Sequence, residues 1–286
     1  MTFNQDEAPG QCASICLALV HNNDESRNAA IRSGLAKLGD FLGACRRVTS
    51  VEVSWQPPLA SSSTGIVLKR NLQYQILERN WLRYRAQKPT RRLSVARKFF
   101  NFSKSFLQNK DGLSERLPRN SAIELAVTDK HIRAWDRFLD SDADLLICFE
   151  DDAIFKESSA ADLSIVLAGI THLKPDELLY VDLAGGMPVS TLKIAALEDR
   201  KEGFFTYYKK PVTNTACSYL LSRSTACLFK AIILNQPSLR HVSIDWLLNA
   251  LFIELEKQGK HSLCFHADPT VFNHGSTTGE CKAWQR

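Results

Sequence analysis

Short apolar runs and stretches of helical periodicity alternate along most of the chain. The apolar run at residues 15–20 predicts a buried strand, and the apolar residues after it recur at helical spacing as far as Gly39, which predicts a helix that ends there. A second strand is predicted at residues 46–55. A strand, a turn and a helix in this order are typical of the α/β fold class, in which helices pack against a sheet.

The same alternation continues through the second half of the chain. Ser121 and Glu124 have the spacing of a capping box, which predicts that a helix begins there and runs to about Ser141. Apolar runs and periodic stretches then predict further strands and helices. Strands are expected at residues 145–149, 177–186, 203–210 and within 261–276, helices at 161–170 and 243–259, and a strand that continues into a helix at 213–233.

The composition is that of an ordinary globular protein, with 286 residues of which 44% are hydrophobic and 23% charged. The composition and length favour a single α/β domain that spans residues 1–286. No apolar stretch is long enough to predict a membrane-spanning helix, and the polar, acidic N-terminal segment favours a cytoplasmic protein over a secreted one. Five of the eight cysteines are expected to be small buried hydrophobes: Cys45, Cys148, Cys217, Cys227 and Cys264.

Positive charge is concentrated in one segment. Residues 69–119 hold fourteen Lys and Arg and three acidic residues, a net charge of +11, whereas the whole chain carries +5. Two helices are predicted here, at residues 66–87 and 91–107, as a basic helical insertion over residues 66–119. Four apolar residues share one face of the second helix: Val95, Phe99, Phe102 and Phe106.

The basic segment has three open interpretations. It is a solvated helix pair, a dimer face, or a surface that docks on an anionic membrane through residues 69–119. Nucleic acid is not expected as a partner, because no DNA- or RNA-binding motif accompanies the charge.

Three acids, Glu150, Asp151 and Asp152, directly follow the strand predicted at residues 145–149. Like charges at this spacing repel, and each costs free energy when it leaves water. In open α/β sheets ligands bind at the carboxyl ends of the strands, and carboxylates there can hold a hard divalent cation that offsets the repulsion. The alternative is the first turn of a helix, where acidic residues are favoured without a metal.

Five short segments occur in a defined order along the chain. They are the strand, turn and helix LALVHNNDESRNAAIRSGLAKLG, the helix segment TDKHIRAW, the acidic strand LLICFEDDAIF, the segment TNTACSYLLSRSTACLF and the helix start SIDWLL. On these segments the chain resembles a divergent relative of glycosyltransferase family 25, which includes bacterial lipooligosaccharide galactosyltransferases and collagen galactosyltransferases. The resemblance covers about half the chain and does not extend to the basic insertion.

The resemblance implies a GT-A fold, which is a Rossmann-like mixed sheet flanked by helices, and a nucleotide-sugar donor, first of all a UDP-sugar. It implies that Asp152 coordinates Mn²⁺ or Mg²⁺, and that Glu150 or Asp151 holds the donor ribose or a metal-bound water. Glu150 is also a candidate metal ligand. A C-terminal histidine often returns to the metal in GT-A enzymes, so His274 is a third candidate ligand; the alternative is an exposed loop histidine.

Asp245 and Asp151 are the candidate catalytic acids. Asp245 lies at the start of an otherwise apolar helix, where it is either a cap, as Ser243 would be, or the general base that deprotonates the acceptor hydroxyl in an inverting transfer.

Four more residues are candidates for donor binding. Arg27 matches phosphate oxygens, Asp182 ends a strand just before two glycines that allow close approach, and Asn214 and Thr215 can hydrogen-bond a sugar. For each, the alternative is structural: a solvated arginine, a tight turn or a polar strand start.

Together these features predict a metal-dependent glycosyltransferase that acts on a lipopolysaccharide, lipooligosaccharide or capsule glycan at the inner face of the plasma membrane. Two other classes stay open. A nucleotidyl- or phosphoryl-transfer enzyme can use the same acidic strand end with two metals. A non-catalytic basic adaptor for membranes or nucleic acid would use the insertion alone.

Overall fold

The computed structural model describes residues 13–56, 63–85, 91–174 and 176–281. The strands are β1 (Ile15–His21), β2 (Val48–Ser54), β3 (Leu145–Glu150), β4 (Ala153–Phe155), β5 (Leu179–Asp182), β6 (Glu198–Glu202), β7 (Phe205–Tyr208), β8 (Ser218–Ser222), β9 (Leu263–Ala267) and β10 (Phe272–His274). The helices are α1 (Glu25–Gly43), α2 (Thr64–Tyr84), α3 (Arg92–Leu107), α4 (Leu113–Asp140), α5 (Ser159–Gly169), α6 (Val189–Leu192), α7 (Arg223–Asn235), α8 (Ile244–Lys257) and α9 (Gly275–Thr278).

An eight-stranded mixed sheet has the order β2-β1-β3-β8-β5-β9-β7-β6. Strand β1 is parallel to β2 and β3, and Val20 lies level with Glu150. Strand β8 is antiparallel to β3 and to β5, so that Ser218 lies beside Phe149. The carboxyl ends of β1, β3 and β5 therefore meet the amino end of β8 at one edge of the sheet. A separate antiparallel pair, β4 and β10, extends from that edge.

The core lies on both faces of the sheet, because successive residues of a strand point to opposite sides. The even-numbered residues of β1 from Cys16 to Val20 belong to one buried cluster, which includes Trp135 of α4 and Leu251 of α8. Its odd-numbered residues belong to a second cluster with α1 and α5, which includes Leu38. This arrangement confirms the predicted α/β class, a Rossmann-like mixed sheet flanked by helices with a helical insertion.

Two predicted helix ends are wrong. Helix α1 continues past Gly39 to Gly43, where Leu42 in its last turn is buried in the core. Helix α4 begins at Leu113, so Ser121 lies inside the helix and caps nothing. Glu124 instead forms an ion pair with the buried Arg70 of α2, a long-range interaction that local spacing does not encode.

Two smaller predictions also need correction. Cys148, Cys217 and Cys264 are buried as expected, but Cys45 and Cys227 are exposed. Strand β6 was not predicted, because its sequence EDRKE has no apolar residue and the strand pairs only with β7 at the edge of the sheet. Charged edge strands of this kind resist pairing with other chains and carry no hydrophobic signal.

The basic insertion contains the two predicted helices, α2 and α3, and Pro89 between them lies outside the described residues. Phe106 is buried and Val95, Phe99 and Phe102 are partly buried, so the predicted apolar face of α3 packs inward. None of the helices built from the described residues combines the length with the apolar composition that crossing a bilayer requires. The single domain over residues 1–286 stays a prediction.

Gly34 of α1 packs against Phe155 of β4. A Cβ at Gly34 would lie 2.6, 2.8 and 2.9 Å from ring atoms of Phe155, closer than carbon atoms approach one another. We expect Gly34→Ala to lower the free energy of unfolding by about 1–3 kcal/mol, because overpacking outweighs the better helix propensity of alanine. Urea denaturation measures the change.

Gly39→Ala is the matched control on the same helix. The nearest atom to its Cβ would be a methyl carbon of Leu17 at 3.9 Å, an ordinary contact. We expect this variant to be neutral or more stable by up to about 1 kcal/mol. Equal effects at the two glycines would contradict the contact with Phe155.

Candidate functional site

The acidic turn lies where β1 and β3 end side by side. The backbone N–H of Asn22, just after β1, donates to Oδ2 of Asp151 over 2.9 Å. Arg27, in the first turn of α1, places Nη2 at 3.3 Å from Oδ1 of Asp151 and 4.0 Å from Oδ2 of Asp152. Helix α1 begins here because Asp24 caps it, accepting from the N–H groups of Ser26 and Arg27. The predicted Arg27 therefore reaches the site, but its nearest partner is an acid of the turn.

A cavity of about 320 Å³ opens at this edge of the sheet, in the size range of small-molecule sites. Among the described residues that line it, five carry carboxyl groups and two carry basic groups. The carboxyl groups belong to Glu124, Glu150, Asp151, Asp152 and Asp245, and the basic groups to Arg27 and Lys130. Since Glu124 is paired with Arg70, four carboxyl groups share two basic groups, and a further positive charge in the cavity would favour their ionised forms.

Asp152 and His274 come together through the β4–β10 pair, in which His274 lies opposite Ala153. Nδ1 of His274 is 3.4 Å from Oδ2 of Asp152, and this Oδ2 accepts a hydrogen bond from Ser276 over 2.6 Å. Within the described chain, Oδ1 of Asp152 and Nδ1 of His274 are both buried and have no hydrogen-bond partner. A carboxylate oxygen without a hydrogen bond, next to an imidazole nitrogen whose nearest polar atom is the other oxygen of that carboxylate, fits the coordination of a metal ion.

Cys217 completes the group of potential ligands. Its sulfur and one ligand atom each from Asp152 and His274 all lie within 4.8 Å of one another. Burial and the charges of Asp152 and Glu150 raise the pKa of the thiol well above its usual value, so without a metal it is neutral. Carboxylate and imidazole suit Mn²⁺, whereas a thiolate would favour a softer ion such as Zn²⁺. The donor set thus fits a divalent cation, and Mn²⁺ or Mg²⁺ stays a prediction.

Glu150 lies outside this group and has a different partner. Oε1 of Glu150 is 3.0 Å from Nε2 of His131, which is fully buried in α4. Nδ1 of His131 is 2.9 Å from the hydroxyl of Tyr219, and that hydroxyl accepts from Nε1 of Trp135. Since an ionised carboxylate can only accept, the imidazole proton sits on Nε2 and points at Glu150 when Glu150 is ionised, and Nδ1 then accepts from the Tyr219 hydroxyl.

Burial shifts the pKa values of His131, Glu150 and Lys130. Burial and the nearby charge of Lys130 lower the pKa of His131 to about 3, so the ring is neutral and acts as a fixed donor. Burial and then the charge of Asp152 raise the pKa of Glu150. Burial lowers the pKa of Lys130, while Asp151 and Glu150 counteract the shift. The ammonium group of Lys130 donates to Oδ1 of Asn22 over 3.0 Å, which fixes the turn after β1.

Asp245 lies in the first turn of α8 and lines the same cavity. The N-cap residue Ser243 makes no side-chain capping bond at this helix. The carboxyl group of Asp245 accepts from the backbone N–H of Ala216, which lines the cavity beside it. Burial and then the charges of Glu150, Asp182 and Glu124 raise the pKa of Asp245 to about 7. A carboxyl group of this pKa can exchange a proton near neutral pH, as a general base requires.

Asp182 is buried and does not line the described cavity. Its Oδ1 accepts from the N–H of Gly185 over 2.8 Å, and its Oδ2 accepts from the N–H of Asn214 over 2.8 Å and from the hydroxyl of Tyr180. Burial raises its pKa. The carboxylate therefore holds the loops of Gly185 and Asn214 together. These hydrogen bonds support a structural role for Asp182 in the turn over a role in donor binding.

Asn214 joins the same loops. Its side-chain Oδ1 accepts from the N–H of Met187 over 2.9 Å, and its Nδ2 donates to the carbonyl of Met187 over 2.8 Å. It lines a second pocket of about 260 Å³ that shares Gly186, Met187, His274 and Thr277 with the first cavity. The two pockets are therefore adjacent at His274, a candidate metal ligand. Asn214 stabilises the backbone at Met187, which borders both pockets.

Thr215 has an unusual backbone conformation. Its φ is +78°, in the region that β-branched residues avoid, and within the described structure its Oγ1 is buried without a partner. A Cβ at Gly186 would lie only 2.3 Å from Cγ2 of Thr215, so the strained loop packs directly on that glycine. Backbone strain of this kind is found mainly at functional sites. Thr215, whose hydroxyl has no hydrogen-bond partner in the described structure, lines the cavity.

The structure adds site residues that sequence patterns did not identify. Lys130 and Ser276 gave no signal, because their roles depend on α4 and α9 reaching the same turn. Cys217 was expected only as a buried hydrophobe. Asn22 belongs to the polar turn that did stand out, but its backbone N–H is the functional group. The roles of the predicted residues in binding and catalysis stay predictions.

No protein-family model matches the chain, and no curated protein is significantly similar to it. The likeness to glycosyltransferase family 25 therefore rests on the motif residues alone. The side chains of the cavity are the remaining basis for inferring a function.

Asp245 gives the site a predicted pH signature. With a folded-state pKa of about 7, above the usual value near 4, the native state holds a proton that the unfolded state has released. Stability is therefore lost as the pH rises from about 4 to 7, by at most about 1.4 kcal/mol per unit. Asp245→Asn lacks this loss, so we expect its stability relative to wild type to increase between pH 5 and 8.

Urea denaturation at several pH values, in EDTA, measures this difference. Asp40→Asn on the exposed side of α1 is the control, and its stability relative to wild type is expected to stay constant over the same range. A pH-independent difference for Asp245→Asn would show that the carboxyl group is ionised throughout.

Proposed function

We propose that the protein is a metal-dependent glycosyltransferase with a nucleotide-sugar donor, first of all a UDP-sugar. The observation that carries this proposal is the pair of unpaired, buried ligand atoms on Asp152 and His274 at the foot of an acidic cavity. The cavity lies at the carboxyl ends of β1 and β3, which is where α/β sheets bind nucleotides. The ordered motif resemblance to glycosyltransferase family 25 supports the same chemistry.

Asp152 and His274, with Cys217 near them, would hold the divalent cation. When bound, a cation there supplies positive charge that offsets the charge of a leaving diphosphate. Arg27 already lies against Asp151 and is partly exposed to the cavity, so it is placed to contact phosphate oxygens as well. Glu150, fixed by His131, is placed to accept a hydrogen bond from a ribose hydroxyl.

Asp245 is the proposed general base for the acceptor hydroxyl. It faces the cavity from α8, while the acidic turn faces it from the end of β3. In the proposed step, the carboxylate of Asp245 takes the hydroxyl proton as the acceptor oxygen bonds to the sugar carbon, and the bond from that carbon to the diphosphate breaks. The acceptor class that the motif resemblance suggests is a lipopolysaccharide, lipooligosaccharide or capsule glycan on the cytoplasmic face of a membrane.

Titration calorimetry of UDP into the full chain tests the proposal first. We expect binding at about micromolar Kd in Mn²⁺ and none in EDTA, because the diphosphate would not enter a cavity with excess negative charge alone. Asp152→Asn is expected to weaken the metal-dependent binding at least about tenfold, since it removes a charged ligand.

The matched control is Asp140→Asn, an exposed acid at the end of α4 outside the cavity. It is expected to bind UDP like the wild type. If UDP, GDP and CMP all fail to bind in the presence of Mn²⁺, Mg²⁺ or Zn²⁺, the nucleotide-sugar proposal is wrong.

The products distinguish transfer chemistries. With a panel of nucleotide sugars and lipid-linked glycans, a glycosyltransferase releases nucleoside diphosphate, whereas a nucleotidyltransferase releases pyrophosphate. We expect Asp245→Asn to reduce kcat roughly 10²- to 10⁴-fold, with the Kd of UDP little changed, because a general base acts in the chemical step. An unchanged kcat would remove Asp245 from the mechanism, and pyrophosphate release would favour the alternative class.

A further inference from the structure

Helix α3 has two apolar stripes on opposite sides. The inward stripe, which ends at the buried Phe106, packs in the helical insertion. The outward stripe consists of Leu93, Phe100 and Leu107, which are 82%, 71% and 68% exposed. These residues are seven apart, and seven residues make about two helical turns, so they lie in line along the helix. An aligned row of large exposed apolar side chains is not the scattered exposure usual on protein surfaces.

Cations occupy the gaps in the outward stripe. Arg97 lies four residues after Leu93, and Lys104 lies four residues after Phe100. Apolar and basic side chains therefore alternate along the outward face of the helix. Both cations are exposed, and neither forms an ion pair with a carboxylate in the described part of the chain. The sequence of α3, RLSVARKFFNFSKSFL, contains no acidic residue.

Helix α2 repeats the pattern on its exposed side. Lys69, Leu72, Ile76 and Arg83 recur at spacings of three, four and seven residues and are all exposed. The one acidic residue of α2, Glu78, is neutralised by Lys98 of α3 at 2.9 Å. The exposed surface of this helix pair therefore combines apolar side chains with uncompensated positive charge.

We propose that the outward face of α3 docks the protein on an anionic lipid surface, with Leu93, Phe100 and Leu107 entering the acyl boundary and Arg97 and Lys104 meeting the headgroups. A helix of 16 residues is about 24 Å long, enough to lie flat in the interface. Apolar and basic residues on one face suit a boundary where hydrocarbon and anionic headgroups are both within side-chain reach. A protein partner would need matched acidic pockets at the same spacing.

The proposal rests on the surface of α3 and is independent of the chemistry of the cavity. The stripe of Val95, Phe99, Phe102 and Phe106 packs inward and takes no part in the proposal. Since α3 lies outside the described cavity lining, failure of nucleotide binding and failure of membrane docking are separable results.

Vesicle flotation with the full chain tests the proposal. We expect the protein to float with vesicles of phosphatidylcholine that contain roughly a third phosphatidylglycerol, and to stay unbound with phosphatidylcholine alone at the same lipid concentration. The triple variant Leu93→Ser, Phe100→Ser and Leu107→Ser is expected to lose flotation to background. The double variant Arg97→Gln and Lys104→Gln is expected to bind about 30-fold more weakly, from roughly fivefold for each cation near an anionic surface.

Two control variants match these changes elsewhere. Leu234→Ser removes a leucine that is 74% exposed on α7, and Lys37→Gln with Lys260→Gln removes two exposed cations. Both are expected to float like the wild type. Circular dichroism of all variants verifies that the total helix content is unchanged, as expected for substitutions at exposed positions.

Three outcomes would overturn the proposal. Undiminished flotation of the triple variant would show that α3 is not the docking face. Absence of flotation together with a concentration-dependent dimer in analytical ultracentrifugation, lost in the triple variant, would assign the face to a second copy of the chain. Absence of flotation together with salt-dependent binding of a mixed-sequence RNA would assign it to nucleic acid.

Discussion

The burial of three consecutive carboxylates at the end of β3 is the constraint on which the site depends. Each would repel its neighbours and lose solvation unless a partner replaced water. The fold supplies a different partner for each: Arg27 lies against Asp151, His131 donates to Glu150, and Ser276 donates to Asp152. These partners belong to α1, α4 and α9, so the acidic turn connects elements from the beginning, middle and end of the chain. A change in the packing of any one of them alters the charge balance of the cavity.

The three partners differ in how far they offset the negative charge of the carboxylate that each one contacts. The guanidinium of Arg27 offsets a full charge, whereas the neutral imidazole of His131 only donates a hydrogen bond. Burial raises the pKa of Glu150 to about 7, so its charge is only partly present near neutral pH. Ser276 satisfies one oxygen of Asp152, and the other oxygen has no partner within the described chain. The positive charge of Arg27 thus offsets mainly Asp151, while Asp152 keeps a buried oxygen without a hydrogen bond. The turn is therefore compatible with a stable core and keeps ligand atoms that fit a cation.

The sequence predicted the parts of this arrangement that depend on local order. The apolar run before Glu150 defined β3 and placed the acids at the end of a strand, and helical spacing found α2 and α3. Long-range packing was not encoded locally: Glu124 appeared to be part of a helix start because its partner, Arg70, lies 54 residues away. The same limit applies to Ser276 and to the outward face of α3, since two apolar stripes on one helix have the same periodicity and only packing decides which of them is covered.

The separation of charge between the insertion and the cavity also has a structural basis. A flexible basic segment would be drawn to a cavity with excess carboxylates and would neutralise it. Two buried arginines of the insertion instead anchor it to the rest of the protein. Arg70 binds Glu124 and the carbonyl of His241. Arg85 donates to the carbonyls of Leu192 and Lys193. These anchors fix α2, and α3 is linked to it by the ion pair of Lys98 with Glu78. Arg97 and Lys104 on α3 remain exposed. One chain thereby presents an acidic cavity and a basic, apolar surface, and the two do not cancel.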